Sequence, residues 1–388
     1  MNQWTKAIRI TMRILYVSHS FPSDNDPDNN IGGMQRVAID IYEAFKNHEQ
    51  VVVFPLILKT SWNTTHIRAP FFLISLFWKI PALVRAHKIE SVFFSALVTG
   101  WVTLFMRKRL QKAGVKTFVM LYGRDILLPA KLYQWALPKI LGKVDAFFPI
   151  STATAEEALK RNFPADRTFV VPMGIDLSRI GVEVSKSEAR AVLMETYPAH
   201  VPRPFIICSV GRHVKRKGFT WFADKVMPLL PDHVEYWAAG DGAERAALEA
   251  AVVRNGLQKR VKLLGRVSDE ALETLYQGAD LYVMPNIHVP GDMEGFGVVM
   301  LEAGICGLPV VAARLEGIRD VVHEGQNGHL VQSEDPQAFV DAIMPYVEDE
   351  QHLKAASERA RAYVPKTFSW HGVAQQFVDR MAQVHRML

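Results

Sequence analysis

Two carboxylates flank a glycine pair in the stretch MPNIHVPGDMEGFGVVMLEAGICGLPVVAARLEGIRDVV, from Met284 to Val322. Glu294 opens a Gly295-Phe296-Gly297 turn, and Glu302 follows eight residues later. The apolar run after the turn predicts a helix, with Glu302 just over two turns into it. Two hydrogen-bonding anions at this separation suit one polar ligand. Backbone amides at a helix start, bared by glycine, suit that ligand's phosphates and add the positive end of the helix dipole.

A cationic constellation precedes it. In Gly211-Arg212-His213-Val214-Lys215-Arg216-Lys217-Gly218, cations crowd a glycine-flanked loop directly after the apolar run Phe205 to Val210. Arg offers a fork of donors and Lys a point charge, which together suit a diphosphate. A basic loop that only faces water is the competing reading. In the first half, Gly32 and Gly33 lie between the strand Arg13 to Ser18 and the helix Val37 to Phe45. A glycine pair there admits a phosphate or sugar to the backbone, and a plain turn accounts for it equally. Asp24, Asp26 and Asp28 form an Asp-x-Asp pattern that a metal would accept. We read their Pro- and Asn-laden surroundings as a water-facing loop.

The elements needed to position these groups repeat along the chain. Strands are expected at 13–18, 51–58, 116–121, 145–150, 169–171, 205–210, 234–239, 261–264 and 281–284, with helical patterns between them and Ser151 capping one helix. Such alternation predicts an α/β protein with two Rossmann-like, doubly wound parallel sheets whose ligands gather at the strand carboxyl ends in a cleft. The polar stretch before Pro204 marks the joint. We place a first domain at 1–178 and a second at 179–366, with residues 367–388 set apart after it.

Length and composition agree with two cores. The 388 residues are 49% hydrophobic and 22% charged, which is ordinary for a globular chain. The net charge of +5 conceals an asymmetry. Residues 1–175 carry 22 basic against 12 acidic residues, and the remainder 23 against 28. The first half therefore favours anionic partners. Nucleic acid is not expected, because no zinc, helix-turn-helix or RNP pattern accompanies the charge. Cys208 and Cys306 are too few for a disulfide framework and fit a reducing compartment. The start MNQWTKAIRI lacks a signal peptide's apolar core, so a cytoplasmic location is expected.

Two runs are unusually apolar. Residues 69–84 are aromatic but interrupted by Lys79 and Pro81, and residues 92–106 end at the basic cluster Arg107-Lys108-Arg109. Neither reaches the roughly 20 residues that span a bilayer. Buried sheet and helix is the favoured reading. The alternative is peripheral contact with an anionic membrane surface, Phe71, Phe72, Phe77 and Trp78 entering the interface.

Taken together, these pieces resemble glycosyltransferase family 4, retaining GT-B enzymes that move a sugar from a nucleotide diphosphate. The likeness rests on the E-x7-E pattern Glu294 to Glu302 inside EGFGVVMLEAGICGLPVVA, on GRHVKRKG, on LGRVSDEALETLYQGADLYVMP and on PMGID. FSWHGVAQQFVDRM is similar to the family's last helix, which crosses back to the first domain. The resemblance implies that Arg212 and Lys217, with Gly211, neutralise the donor diphosphate, which Gly33 and Gly32 meet from the first domain. It implies that Glu302 holds the ribose and that Glu294, beside the amides of Gly295, Phe296 and Gly297, holds the transferred sugar. No metal or other cofactor is then needed, since fixed cations and amides stabilise the departing phosphate.

Two places depart from that pattern. Tyr122, followed by Gly123, Arg124 and Asp125, stands where the family has a sugar-contacting His before Gly, so either Tyr122, with Asp125 as a further candidate, takes a related role or the sugar differs. Glu316-Gly317-Ile318-Arg319-Asp320 replaces Gly-Gly-x-Pro-Glu. The expectation is a hexosyltransferase using a UDP- or GDP-linked donor and a lipid-linked or anionic glycan acceptor of the cell envelope. A nucleotide-sugar epimerase or phosphorylase of the same fold, or a catalytically silent binding subunit, would share these features.

Overall fold

The structure, a computed structural model, describes residues 11–23, 33–127, 131–177 and 184–387. Gly32 and the Asp24, Asp26, Asp28 cluster lie outside the described residues. The chain divides into two units, residues 1–174 with 370–388, and residues 175–369. The sequence reading set these joints at 178 and 366.

The first unit runs β1 (Met12–Phe21), α1 (Gly33–Lys46), β2 (Val51–Lys59), α2 (Trp62–His87), β3 (Ser91–Phe94), α3 (Leu97–Gly100), α4 (Thr103–Lys112), β4 (Lys116–Leu121), α5 (Gly123–Leu127), α6 (Lys131–Leu141), β5 (Ala146–Pro149) and α7 (Thr152–Leu159). Its strands are parallel, in the order β2-β1-β3-β4-β5. β3 and β5 are buried at every position, because helices cover both faces of a parallel sheet. That is why they read as unbroken apolar runs. The Ser151 hydroxyl accepts the Thr154 N–H and starts α7 as expected. Residues 169–171 are not a strand. The amides of Phe169 and Val171 bond along β5, to Phe147 and Pro149.

α2 overturns the expectation of a broken run. It is one helix of 26 residues that passes through Pro70 and Pro81, and residues Thr64–His87 are long and apolar enough to cross a membrane by length and composition. Phe72, Leu76, Ile80 and Val84 nevertheless belong to the core of this unit, with Leu15, Val17 and Val92. One face of α2 is therefore committed to the protein itself.

The second unit runs α8 (Lys186–Thr196), β6 (Phe205–Val210), α9 (Phe219–Trp221), β7 (Val234–Ala239), α10 (Arg245–Arg254), β8 (Val261–Gly265), α11 (Asp269–Gly278), β9 (Leu281–Met284), α12 (Val299–Ile305), β10 (Val310–Ala313), β11 (Gly328–Val331), α13 (Pro336–Glu348) and α14 (Glu350–Phe368). Six parallel strands take the order β11-β10-β9-β6-β7-β8. Ser369, in extended conformation, separates α14 from α15 (Trp370–Arg386). α15 belongs to the first unit, where Phe377 meets Phe45, Phe93 and Phe148 edge-on at 5.2–5.7 Å.

Candidate active site

In the second sheet the chain builds outward from β6 through β7 to β8, then returns to the other side of β6 with β9. A doubly wound sheet opens its ligand crevice where the winding reverses, here at the carboxyl ends of β6 and β9. The loop after β6 carries Gly211 to Gly218, and the segment after β9 carries Glu294. They are sewn together closely. The Ile287 N–H donates to the Arg216 carbonyl at 3.0 Å. Gly218 has φ +68°, and a Cβ there would lie 1.8 Å from the Pro285 carbonyl oxygen, so only glycine fits.

The juxtaposition brings Lys217 Nζ to 2.7 Å from Glu294 Oε2. Both residues are 7% exposed. Arg216 Nη2 stands 3.7 Å from the same oxygen, and the Asn286 amide donates to it at 3.3 Å. Glu294 Oε1 has no partner among the described residues, so one oxygen is anchored and the other is free to accept. Burial works to raise the Glu294 carboxyl, but Lys217 and Arg216 outweigh it and hold it below its ordinary range. The Lys217 ammonium is pushed down, by burial first and by Arg216 and Arg212 beside it, with Glu294 opposing. Arg212 is exposed, and its guanidinium makes no hydrogen bond or ion pair with the described residues.

Glu302 sits differently from the sequence expectation. α12 begins only at Val299, so Glu302 lies in its first turn and not beyond its second. Gly297 has φ +93°, outside the helical region, which delays the start. Tyr276, buried on α11, donates its hydroxyl to Glu302 Oε2 at 3.1 Å. Phe296 is 3% exposed and anchors the turn. The amides of Gly295, Phe296 and Gly297 find no acceptor among the described residues, so the donors expected from a helix start are supplied by the turn ahead of it.

Sequence reasoning did not single out Asn286, gave Arg216 no role of its own, and noted Glu316 only as a departure that puts charge near the donor end. Glu316 occupies a left-handed conformation at φ +46°, and its carboxylate accepts the Glu294 N–H while the Gly317 N–H donates to the Glu294 carbonyl at 3.1 Å. Both peptide groups of Glu294 are thereby held. Burial, then the Glu294 charge, raise the Glu316 carboxyl above its usual value. Asn286 is 1% exposed with its Oδ1 unpartnered, and Arg216 is inward-turned with Nε and Nη1 lacking hydrogen-bond partners. A glutamate standing where glycine is usual was the one available signal.

The first unit has its own polar edge. Gly33 opens α1, and a Cβ there would meet no atom of the described residues within 4 Å. Tyr122, just past β4, is 4% exposed with its hydroxyl unpartnered, and burial pushes that phenol far above its ordinary range. Asp125 Oδ2 accepts the Leu97 N–H at 3.4 Å. Ser18 Oγ and His19 Nδ1, near the end of β1, are also buried without partners, and burial lowers the His19 imidazole to about 4. The sequence reading did not single these two out, since a Ser-His pair at a strand end is common.

Residues 31–179 match the family described as Glycosyltransferase Family 4, and residues 204–349 match Glycosyl transferases group 1. A D-inositol 3-phosphate glycosyltransferase from Xylanimonas cellulosilytica is 33% identical over 60% of this chain and 56% of its own length, so the chain spans little more than half of that relative. A GDP-mannose-dependent alpha-(1-6)-phosphatidylinositol monomannoside mannosyltransferase from Mycolicibacterium smegmatis is 27% identical over 75% of this chain and 76% of its own length. The structure of HepE from Anabaena, solved with UDP, superposes with a TM-score of 0.71 at 21% identity, covering 96% of this chain and 100% of that one. With a family match in each half and the fold shared over nearly its whole length, the chain belongs to the family 4 glycosyltransferases of the GT-B fold.

Proposed function

We propose that this chain is a retaining hexosyltransferase using a UDP- or GDP-linked sugar, and that it needs no metal. The observation that carries the reading is the Lys217–Glu294 pair at the reversal point of the second sheet, with one Glu294 oxygen left open. Lys217 and Arg212 would neutralise the diphosphate, Glu302 the ribose hydroxyls, and Glu294 Oε1 a hydroxyl of the transferred sugar. The unpartnered amides of Gly295 to Gly297 would add fixed dipoles that need no reorganisation as charge develops.

In the reaction, the bond from the sugar's anomeric carbon to the β-phosphate oxygen breaks and the acceptor oxygen bonds to the same face. The acceptor's proton passes to the departing phosphate. Arg212, Lys217 and Arg216 stabilise the charge that leaves. The acceptor we propose is a lipid-linked or anionic glycan of the cell envelope, met at the cytoplasmic side of a membrane. Support comes from the basic first half and from the phosphatidylinositol mannoside acceptor named for the Mycolicibacterium relative.

The test is a thermal-shift panel of nucleoside diphosphates and their sugars, followed by turnover with the donor that binds, in EDTA. A ligand at a hundred times its Kd stabilises by roughly 2.7 kcal/mol. Arg212→Ala and Lys217→Ala should each reduce turnover by at least a hundredfold; unchanged turnover, or loss of activity in EDTA, contradicts the reading. The burial of Tyr122 where the family has a sugar-contacting His favours a second reading, a silent binding subunit. Donor hydrolysis above background excludes it.

A further inference from the structure

α2 is apolar on both sides, and only one side is used by the core. Away from Phe72, Leu76, Ile80 and Val84, the helix presents Ile67 (56% exposed), Phe71 (72%), Ile74 (52%) and Trp78 (69%). Their spacing of four, three and four residues places them in one stripe along the helix. Phe77 packs against Phe105 of α4, ring centroids 5.6 Å apart, and Phe105 is itself 76% exposed. α6, which packs against α4, adds Trp135, 65% exposed, with Lys139 Nζ 3.0 Å above its ring. Of the four aromatics named from sequence as membrane contacts, Phe71 and Trp78 point outward, whereas Phe72 is core and Phe77 is partly buried.

The charge around this stripe has one sign. Neither α2 nor α4 contains an acidic residue. Arg68, Lys79 and Arg85 on α2, and Lys108, Arg109 and Lys112 on α4, are all exposed. An apolar, aromatic stripe set among cations fits an anionic lipid surface. It does not fit a second copy of the same cationic face, which would oppose like charges. The helix does not span, because its other face is held in the core.

We propose that α2 and α4 form a docking face for an anionic bilayer, on which α2 lies parallel to the surface with Phe71, Ile74, Trp78 and Phe105 entering the interface. This deepens the reading of a membrane-linked acceptor, but its observations are independent of the donor site. Each basic residue near an anionic leaflet is worth roughly a fivefold gain in partition, so binding must fall steeply with salt.

The experiment is flotation of the full chain with vesicles of phosphatidylcholine alone or with 30% phosphatidylglycerol as probe. Wild type should float with the anionic vesicles at low salt and lose at least tenfold in partition at high salt or on neutral vesicles. Phe71→Ser with Trp78→Ser should lose at least tenfold while keeping wild-type circular dichroism and nucleotide thermal shift. Should that pair unfold the protein, Lys108→Ser with Arg109→Ser, on exposed positions, gives the same reading. Wild type that stays unbound at low salt overturns the proposal. So does a Phe71/Trp78 variant that binds as wild type, or one that turns a dimer into a monomer without affecting vesicles. Vesicle binding without sugar transfer would leave this face standing and remove the catalytic reading instead.

Discussion

Lys217 and Glu294 exchange the shelter of water for each other, and the balance depends on both being present. Removing one partner of a buried pair leaves an uncompensated charge and costs about 3–5 kcal/mol, whereas replacing both is often neutral. Lys217→Met should therefore lower the denaturation midpoint well beyond what an exposed-cation change does, with Arg216 at 3.7 Å limiting the loss. Adding Glu294→Gln should restore much of the stability without restoring activity. A double-mutant cycle by urea unfolding measures this, and additive losses would show that the two residues are not coupled. His19 gives a pH signature in the other unit. Its imidazole, lowered to about 4 by burial, binds a proton in the unfolded chain near 6.5 but not in the folded one. The associated stability is present above pH 6.5 and is lost as pH falls through 4. Between pH 7 and 5, wild type should lose about 2 kcal/mol more than His19→Asn, and parallel pH curves for the two would refute the assignment.

At the scale of elements, glycines separate packing from ligand contact. Gly218 is fixed by the protein, because a Cβ would meet the Pro285 carbonyl at 1.8 Å in a left-handed backbone. Gly218→Ala should cost about 3 kcal/mol or more and lower Tm by roughly 10 °C. A Cβ at Gly33 would meet none of the described residues. Gly33→Ala should leave Tm within about 2 °C, and a loss of nucleotide-sugar affinity would then report a ligand passing close to that backbone; unchanged affinity would make it an ordinary helix start. Eight of the described sheet strands were legible in sequence, because burial on both faces leaves unbroken apolar runs such as Phe205 to Val210, whereas the four-residue β3, β10 and β11 were not among the expected strands. α2 was not, since a helix apolar on nearly every side has no amphipathic period, and Lys79 and Pro81 looked like breaks. α12 was misjudged by its start: a positive φ at Gly297 cannot be read from apolar periodicity.

For the whole molecule, the alternation of strands and helices made two doubly wound units readable, and the glutamate pair with the cationic loop pointed to half of the candidate site. The roles of Arg216, Asn286 and Glu316 were not legible, because they converge on Glu294 only where the segments after β6, β9 and β10 meet, and those strands are neighbours across a reversal in strand order. Nothing local in the sequence announces that meeting. Each unit has a hydrophobic core of its own, so ligand binding need not be felt uniformly along the chain. The proposed donor groups Arg212, Lys217, Glu294 and Glu302 all lie in residues 175–369. The amides of Gly295 to Gly297, which lack acceptors here, should exchange rapidly in the free protein and slow when a diphosphate or sugar oxygen accepts from them. Hydrogen exchange with saturating UDP or GDP should then show added protection in peptides covering 211–218 and 286–302, while β3, β4 and β5, buried in the other core, keep their free-state rates. Protection that spares 286–302 would place the nucleotide elsewhere. Equal protection of both sheets would mean that the units unfold together and share their stability.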